Sequence, residues 1–396
     1  MPPRIHLETL DLLVLAAYFG AALWIGVALH RRGQQAEQFL LAGRRLTLPL
    51  FVGSLVATWY GGILGVGEIA YKDGLVNWVT QGGFWYASYL IFAYLLAGRL
   101  QRSAQTTLPD QLGLLHGPGA RLLAALLNFF NVVPVAYMLT LGLVVQLITG
   151  WPLWLGVVVG TCVAAMYSLL GGFKAVVYTD MLQFGLMCLA VALVLGASVL
   201  KLGGGEYLSA NLPAGHLSPL GHMSAQELGV WALIALSTLV DPNFYHRCYA
   251  AGNDKIARRG ILLAVGFWAL FDVCTTFGGL YARAALPGVD PRLAYPLLAD
   301  MLLPVGLKGV FVCGLLATAM STVDSYCFVG ALGLSHDLYR RTLNPDASDR
   351  AMVRATRLGI LATGALAMGL ALWFPGSFKS IWKTMGSLSA SAVLLP

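Results

Sequence analysis

Residues 317–325 read A-T-A-M-S-T-V-D-S and lie inside an apolar segment, residues 305–334, that holds no other acidic residue. Four hydroxyl side chains (Thr318, Ser321, Thr322, Ser325) and the carboxylate of Asp324 fall within this short run. In hydrocarbon every polar group needs a partner, and an Asp at the centre of a membrane helix costs about 2.5–3.5 kcal/mol. On a helix, positions 318, 321, 322 and 325 share one stripe by the i, i+3, i+4, i+7 rule. An oxygen-lined face of this kind suits a small hard cation such as Na⁺. One hydroxyl alone is equally well explained by bonding back to a carbonyl a turn earlier. Four hydroxyls and a carboxylate ask for more than that.

The composition sets the context. The chain has 396 residues, 58% hydrophobic and 11% charged, with a mean hydropathy of +0.73. Apolar runs near the length of a membrane span recur throughout, which makes it an integral membrane protein. Strand-like alternation is missing, so the expected fold is an all-α polytopic bundle and not a barrel. The net charge of +7 fits basic loops on the cytoplasmic side and does not ask for nucleic acid. Six cysteines without a CxxC pair, and seven histidines without an HExxH, offer neither a disulfide framework nor a zinc site. No gap between apolar segments holds a soluble catalytic domain, so an enzyme is not expected.

Residues 12–29 are apolar and are followed by His30, Arg31 and Arg32. A cleaved signal has a shorter core with its basic residues in front, so this is a retained span. Further spans are expected near 47–70, 76–98, 120–148, 151–170, 175–200, 228–249, 260–284, 305–335 and 354–374, with another starting at 381. With the N-terminus outside, 17 of the 25 basic residues fall on the inner side, Arg247 among them. That asymmetry favours an outside N-terminus, in a membrane expected to be the bacterial inner one. The last residues, S-L-S-A-S-A-V-L-L-P (387–396), stop within an apolar run. A span begun near 381 needs more length to cross about 30 Å, so the natural chain is expected to continue.

Two spans are interrupted. The first carries A-T-W-Y-G-G (57–62) and ends at Glu68, and each glycine costs a helix about 1 kcal/mol against alanine. The other carries S-T-L-V-D-P-N (237–243), where Pro242 removes a backbone donor and Asp241 places an ionisable group at membrane depth. Breaks at matching positions of two five-span halves predict an inverted-repeat transporter with its site at the breaks. Half-helix ends there offer carbonyls to a cation and N–H groups to an anion. The run G-G-F-K-A-V-V-Y-T-D-M-L-Q (171–183) adds Asp180. At a helix start it reads either as an N-cap or as a carboxylate lining the cation's exit.

Three stretches together resemble the sodium:solute symporter family: L-A-G-R-R-L (41–46), residues 171–183, and M-S-T-V-D-S (320–325). The likeness runs from about residue 12 to the end. It implies a leucine-transporter-like 5+5 inverted-repeat bundle preceded by one extra span, working by Na⁺-driven alternating access. It also implies a Na⁺ site built from the side-chain oxygens of Ser321 and Thr322 and the carbonyls of Thr318, Ala57 and Tyr60, with Asp180 close by. Proline transporters of the family carry an Asp and a Ser beside the first break. This chain has Trp59 and Gly61 there, which argues against proline.

The substrate pocket is then expected between the two breaks and the third core span. Its candidates are Trp59, Gly61, Glu68 and Gln81, then Asn128, Asn131 and Tyr137, then Ser237, Thr238 and Asp241. The acids there fit a cationic or hydroxyl-bearing solute, or else cap backbone N–H groups at the breaks. Asp272 and Asp324 are read as polar contacts between helices. The function implied is symport of Na⁺ and a small organic solute across the lipid bilayer, with no oligomer required. A membrane sensor built on the same module, and H⁺ coupling through Asp180 or Asp241, stand as alternatives.

Overall fold

The computed structural model describes residues 4–30, 35–373 and 378–389. Helices dominate, in this order: α1 (Thr9–Ala28), α2 (Leu48–Trp59), α3 (Ile63–Asp73) and α4, residues 78–103. Then come α5 (Pro118–Asn131), α6 (Val135–Thr149), α7 (Leu153–Leu202), α8 (Ala225–Ala235) and α9 (Pro242–Ala250). Last are α10 (Asp254–Ala285), α11 (Pro291–Leu302), α12 (Leu307–Leu332), α13 (Asp349–Trp373) and α14 (Phe378–Ser389). Among the described residues seven helices are long and apolar enough to cross a membrane, and the bent pair α2–α3 makes an eighth span.

Both expected interruptions are present. The helices α2 and α3 meet at 54° across Tyr60-Gly61-Gly62. Between α8 and α9 the chain narrows to a 3₁₀ turn, Leu236–Val240. Pro242 then occupies the first helical position of α9, where its missing donor does no harm, and Asp241 caps that helix by accepting from the Asn243 N–H at 2.8 Å. An isolated parallel bridge, Leu46 with Ala251, ties the approach to α2 to the exit from α9.

Two details depart from the expectation. The spans placed at 151–170 and 175–200 are two legs of α7, which turns at Gly172 with φ 65° and ψ −157°. A Cβ there would lie 2.6 Å from the Phe39 ring, so conformation and contact both require glycine. The second leg starts at once after this turn, and Asp180 is therefore about two helical turns inside it. Asp180 is no N-cap. Second, Arg247 is not a loop residue: it belongs to α9 and is fully buried. Arg31, Arg32 and the run 390–396 lie outside the described residues.

Burial sorts the bundle. The apolar window of α12 is 94% buried, against 28% for α1 and for the second leg of α7. So α12 is the central post, and α1 and the second leg of α7 are the spans that leave most of their apolar windows unburied. A helix buried on all sides can carry hydroxyls and a carboxylate at membrane depth because neighbours satisfy them. Its own start is held from outside, since Asp11 Oδ1 accepts the N–H groups of Gly306 and Gly309, each at 2.7 Å. A carboxylate placed there satisfies two of the four orphan donors of a helix N-terminus.

Candidate functional site

The polar stripe of α12 faces α2 and α7. Thr318 keeps to its own helix, donating to the Leu315 carbonyl at 2.7 Å. The other three reach across. Thr322 donates to the Thr58 carbonyl at 2.7 Å, next to the break in α2, and shares its proton with the Thr318 carbonyl at 3.0 Å. Ser325 pairs with the Thr58 hydroxyl at 2.9 Å, and Ser321 donates to Asp180 Oδ1 at 2.6 Å. Gly61 makes this closeness possible, because a Cβ on it would lie 2.2 Å from Thr322 Oγ1.

Asp180 is the centre of a fully buried network. Its Oδ2 accepts from Ser54 at 2.6 Å, and the Arg247 guanidinium lies 3.5 Å away. Arg247 also donates to Ser54 at 3.1 Å, to Ser325 at 3.0 Å and to Thr58. Helices α2, α7, α9 and α12 thus converge on one carboxylate and one guanidinium, with hydroxyls bonding Arg247 Nε and Nη2 while its Nη1 has no partner among the described residues. Removing one member of such a pair strands a charge where no water reaches it.

A cavity of about 170 Å³ lies between the two breaks, walled by α2, α4, α6, α8 and α10. Trp59, Gln81, Asn131, Tyr137, Ser237 and Asp241 line it, as does Asp272. Gln81 stands on a π-helical turn of α4, Trp78–Gly83, a local widening that recurs at functional sites. Asp272 Oδ1 accepts from the Tyr60 hydroxyl and Oδ2 from the Tyr86 hydroxyl, each at 2.5 Å. Asp241 divides its work: Oδ1 caps α9, and Oδ2 receives the Tyr326 hydroxyl at 3.3 Å.

Several expected pocket residues are elsewhere. Glu68 is buried one turn further along α3 and pairs with Lys72 at 2.6 Å. Gly61 backs onto α12, as described. Asn128 and Thr238 are buried outside the cavity wall. Of the expected cation-site residues, Ser321 contacts Asp180, which reaches α2 at Ser54, and Thr322 contacts the Thr58 carbonyl next to the break. The sequence reading missed Arg247, Ser54, Trp85, Tyr89 and Trp268. A basic residue so close behind Asp241 was the available signal for the first. The aromatics had none, because spacing does not separate a ring in a pocket from a ring in a core.

A further buried cluster sits where α12 runs on as the π-helical stretch Gly333–Leu343. His336 Nε2 lies 2.7 Å from Asp110 Oδ2, Arg341 donates to Asp110 Oδ1 at 3.0 Å, and Thr107 donates to Asp337 at 2.6 Å. These contacts lock the helix Leu108–His116 onto the end of α12.

Interrupted spans around a polar cavity define a leucine-transporter-like membrane bundle. The structure superposes on that of a Na⁺-coupled sialic acid symporter in its substrate-bound outward-open state, with a TM-score of 0.84, 19% identity, and 98% of this chain and 86% of that one covered. The sodium:solute symporter family model matches residues 39–395, and the chain belongs to that family. The family is one of transporters, not enzymes. Sodium/glucose cotransporter 4 of Danio rerio is 26% identical over 95% of this chain and 64% of its own length. The high-affinity proline transporter PutP of Bacillus subtilis is 27% identical over 94% of this chain and 84% of its own. The chain thus spans under two thirds of the first relative.

Proposed function

We propose that this protein is a secondary active transporter that couples inward Na⁺ flow to uptake of a small organic solute by alternating access. One observation carries the reading: the Thr322 hydroxyl meets α2 at the Thr58 carbonyl next to its break and the adjacent Ser321 hydroxyl meets Asp180, close to a solute-sized cavity that the same break helps to wall. In this proposal Na⁺ binds among Ser321, Thr322, the Thr318 carbonyl and the carbonyls of Ala57 and Tyr60, with Asp180 as the nearest negative charge. Bound Na⁺ fixes α2 against α12, which sets the pocket wall formed by Trp59 and Tyr60. Ion and solute then share a coupling free energy, typically about 1–3 kcal/mol. The protein works in a bilayer, proposed to be the bacterial inner membrane with the N-terminus outside, and one copy suffices. The relatives name a neutral sugar, a zwitterion, a quaternary ammonium cation and an anionic sugar acid, so names alone do not select the solute.

One observation favours a second reading. Arg247 already supplies a cation to Asp180, so the guanidinium can stand in for Na⁺ and leave transport H⁺-coupled. The deciding experiment is thermal unfolding of the purified protein in Na⁺ against K⁺ at equal ionic strength, beside the Ser321→Ala/Thr322→Ala double variant. Na⁺-specific stabilisation in wild type and none in the variant is the expected result. No Na⁺ effect in wild type, with uptake into proteoliposomes driven by a pH gradient alone, hands the function to the second reading.

A further inference from the structure

The cavity has a charge imbalance that the transport proposal leaves unused. Its wall holds two carboxylates, Asp241 and Asp272, and no Lys, Arg or His. Neither acid takes part in an ion pair among the described residues, and each is at most 8% exposed. Asp272 accepts one phenol at each oxygen. A carboxylate has about four lone-pair sites, so both oxygens keep acceptor capacity. Asp241 has one oxygen committed to the α9 N-terminus and the other only 3.3 Å from a phenol. The one buried guanidinium nearby, Arg247, is turned to Asp180 and its hydroxyls. Buried charge is tolerated when something of opposite sign completes it.

The rest of the wall has the matching chemistry. Trp59, Trp85, Tyr89, Trp268 and Tyr137 present rings to the cavity, and such faces attract cations through their quadrupole. Three buried donors have no acceptor: Gln81 Nε2, Trp231 Nε1 and Trp268 Nε1, and all three residues line the same space. An acceptor oxygen on the ligand would satisfy one or two of them. The cavity of about 170 Å³ is close to the size that holds one benzene, an engineered void of roughly 150 Å³. We infer that the transported solute is a small organic cation: a substituted ammonium, seated against Asp272 and Asp241 and the tryptophan faces, carrying one oxygen that accepts from Gln81 or an indole of the wall. This rests on the proposal that the cavity is the solute site of a symporter. A carboxylate solute finds no basic partner in this wall.

The test is equilibrium binding to the purified full chain in Na⁺, read by tryptophan fluorescence, which the indoles of the wall make sensitive to occupancy. The probes are choline, ethanolamine and tetramethylammonium, with 3,3-dimethyl-1-butanol as the uncharged isostere of choline and lactate as an anion. The expected result is that choline or ethanolamine binds at least tenfold tighter than the uncharged isostere, and that lactate does not bind. Asp272→Asn is expected to weaken that binding at least tenfold, and Asp272→Glu to recover part of it. Retention of Na⁺ stabilisation by both variants shows that they fold. Equal or tighter binding of the neutral or anionic probe overturns the inference, as does silence from all three ammonium probes. The two proposals fail separately. Cation binding without Na⁺-driven uptake sinks the symporter reading alone, and Na⁺-driven uptake of an uncharged solute, undisturbed by Asp272→Asn, sinks the cation.

Discussion

Asp180 and Asp272 are both buried acids at membrane depth, and their surroundings differ in kind. Asp180 has a serine on each oxygen and a guanidinium at 3.5 Å. Asp272 has a phenol on each oxygen and no cation. The first carboxylate is completed by the chain itself, from four helices that must meet for the bundle to close. The second is hydrogen-bonded but electrically open, in the wall of a cavity. A protein that only needed polar contacts between helices would gain nothing from turning a carboxyl group with no cation beside it toward a cavity. The difference separates charge that holds the fold from charge that waits for a ligand, and each prediction below presses on that distinction.

The largest effect is expected at the completed site. Arg247→Met leaves Asp180 without its cation in a dry interior, and breaking a buried pair in this way costs about 3–5 kcal/mol. Thermal unfolding in detergent should show a large drop in midpoint. Asp180→Asn added to Arg247→Met should restore much of it, because no charge is then stranded. A double variant as unstable as the single one would mean that Arg247 acts through packing, and the contrast with Asp272 would lose one side.

How far this architecture was readable can be judged residue by residue. The hydroxyl stripe of α12 and the two breaks were legible because polar groups and Gly or Pro inside apolar spans have few structural excuses. Asp180 was legible as a residue and not as a position. Its place two turns inside a helix depends on the turn at Gly172, and that turn needs Phe39 packed against it from far away in the chain. Arg247 was assigned to a loop because a span end and a buried half-helix have the same local hydropathy. Glu68 was expected in the pocket, yet a partner one turn away, Lys72, holds it elsewhere. The aromatic wall was hidden for a different reason. Which rings border a void is settled only when α4, α6 and α10 are set side by side.

A middle-sized effect is expected where the ion is proposed to bind. At a Na⁺ concentration ten times the dissociation constant, binding adds about 1.4 kcal/mol to stability. The Ser321→Ala/Thr322→Ala variant should lose that increment while keeping most of its stability in K⁺, since Asp180 retains Ser54 and Arg247. Persistence of the Na⁺ effect in the variant would move the ion away from α12.

At the open site the expected effect on stability is smaller still. Asp272→Asn keeps an acceptor for one phenol and offers its amide to the other, so about 1 kcal/mol or less is at stake without ligand. The midpoint should therefore barely move, in contrast to Arg247→Met, although ligand binding is lost. A fall of several kcal/mol would show that Asp272 is a structural charge after all, and would erase the comparison.

The smallest effect comes from a completed carboxylate at the edge of the bundle. Burial pushes the Asp110 carboxyl up, but the hydrogen bond and charge of His336 and those of Arg341 outweigh it, and the net direction is below the ordinary value of 3.8. A carboxyl lowered on folding contributes stability that is fully present above its unfolded value, about 3.9. That stability disappears as the pH falls through the folded value. Wild type should accordingly lose stability between about pH 5 and pH 3 more steeply than Asp110→Asn, in which the group no longer titrates. The measurement is the unfolding midpoint of both proteins across that range. Parallel curves would mean that His336 and Arg341 do not complete Asp110 in solution. The pairing of acid with cation seen at Asp180 would then not extend to Asp110.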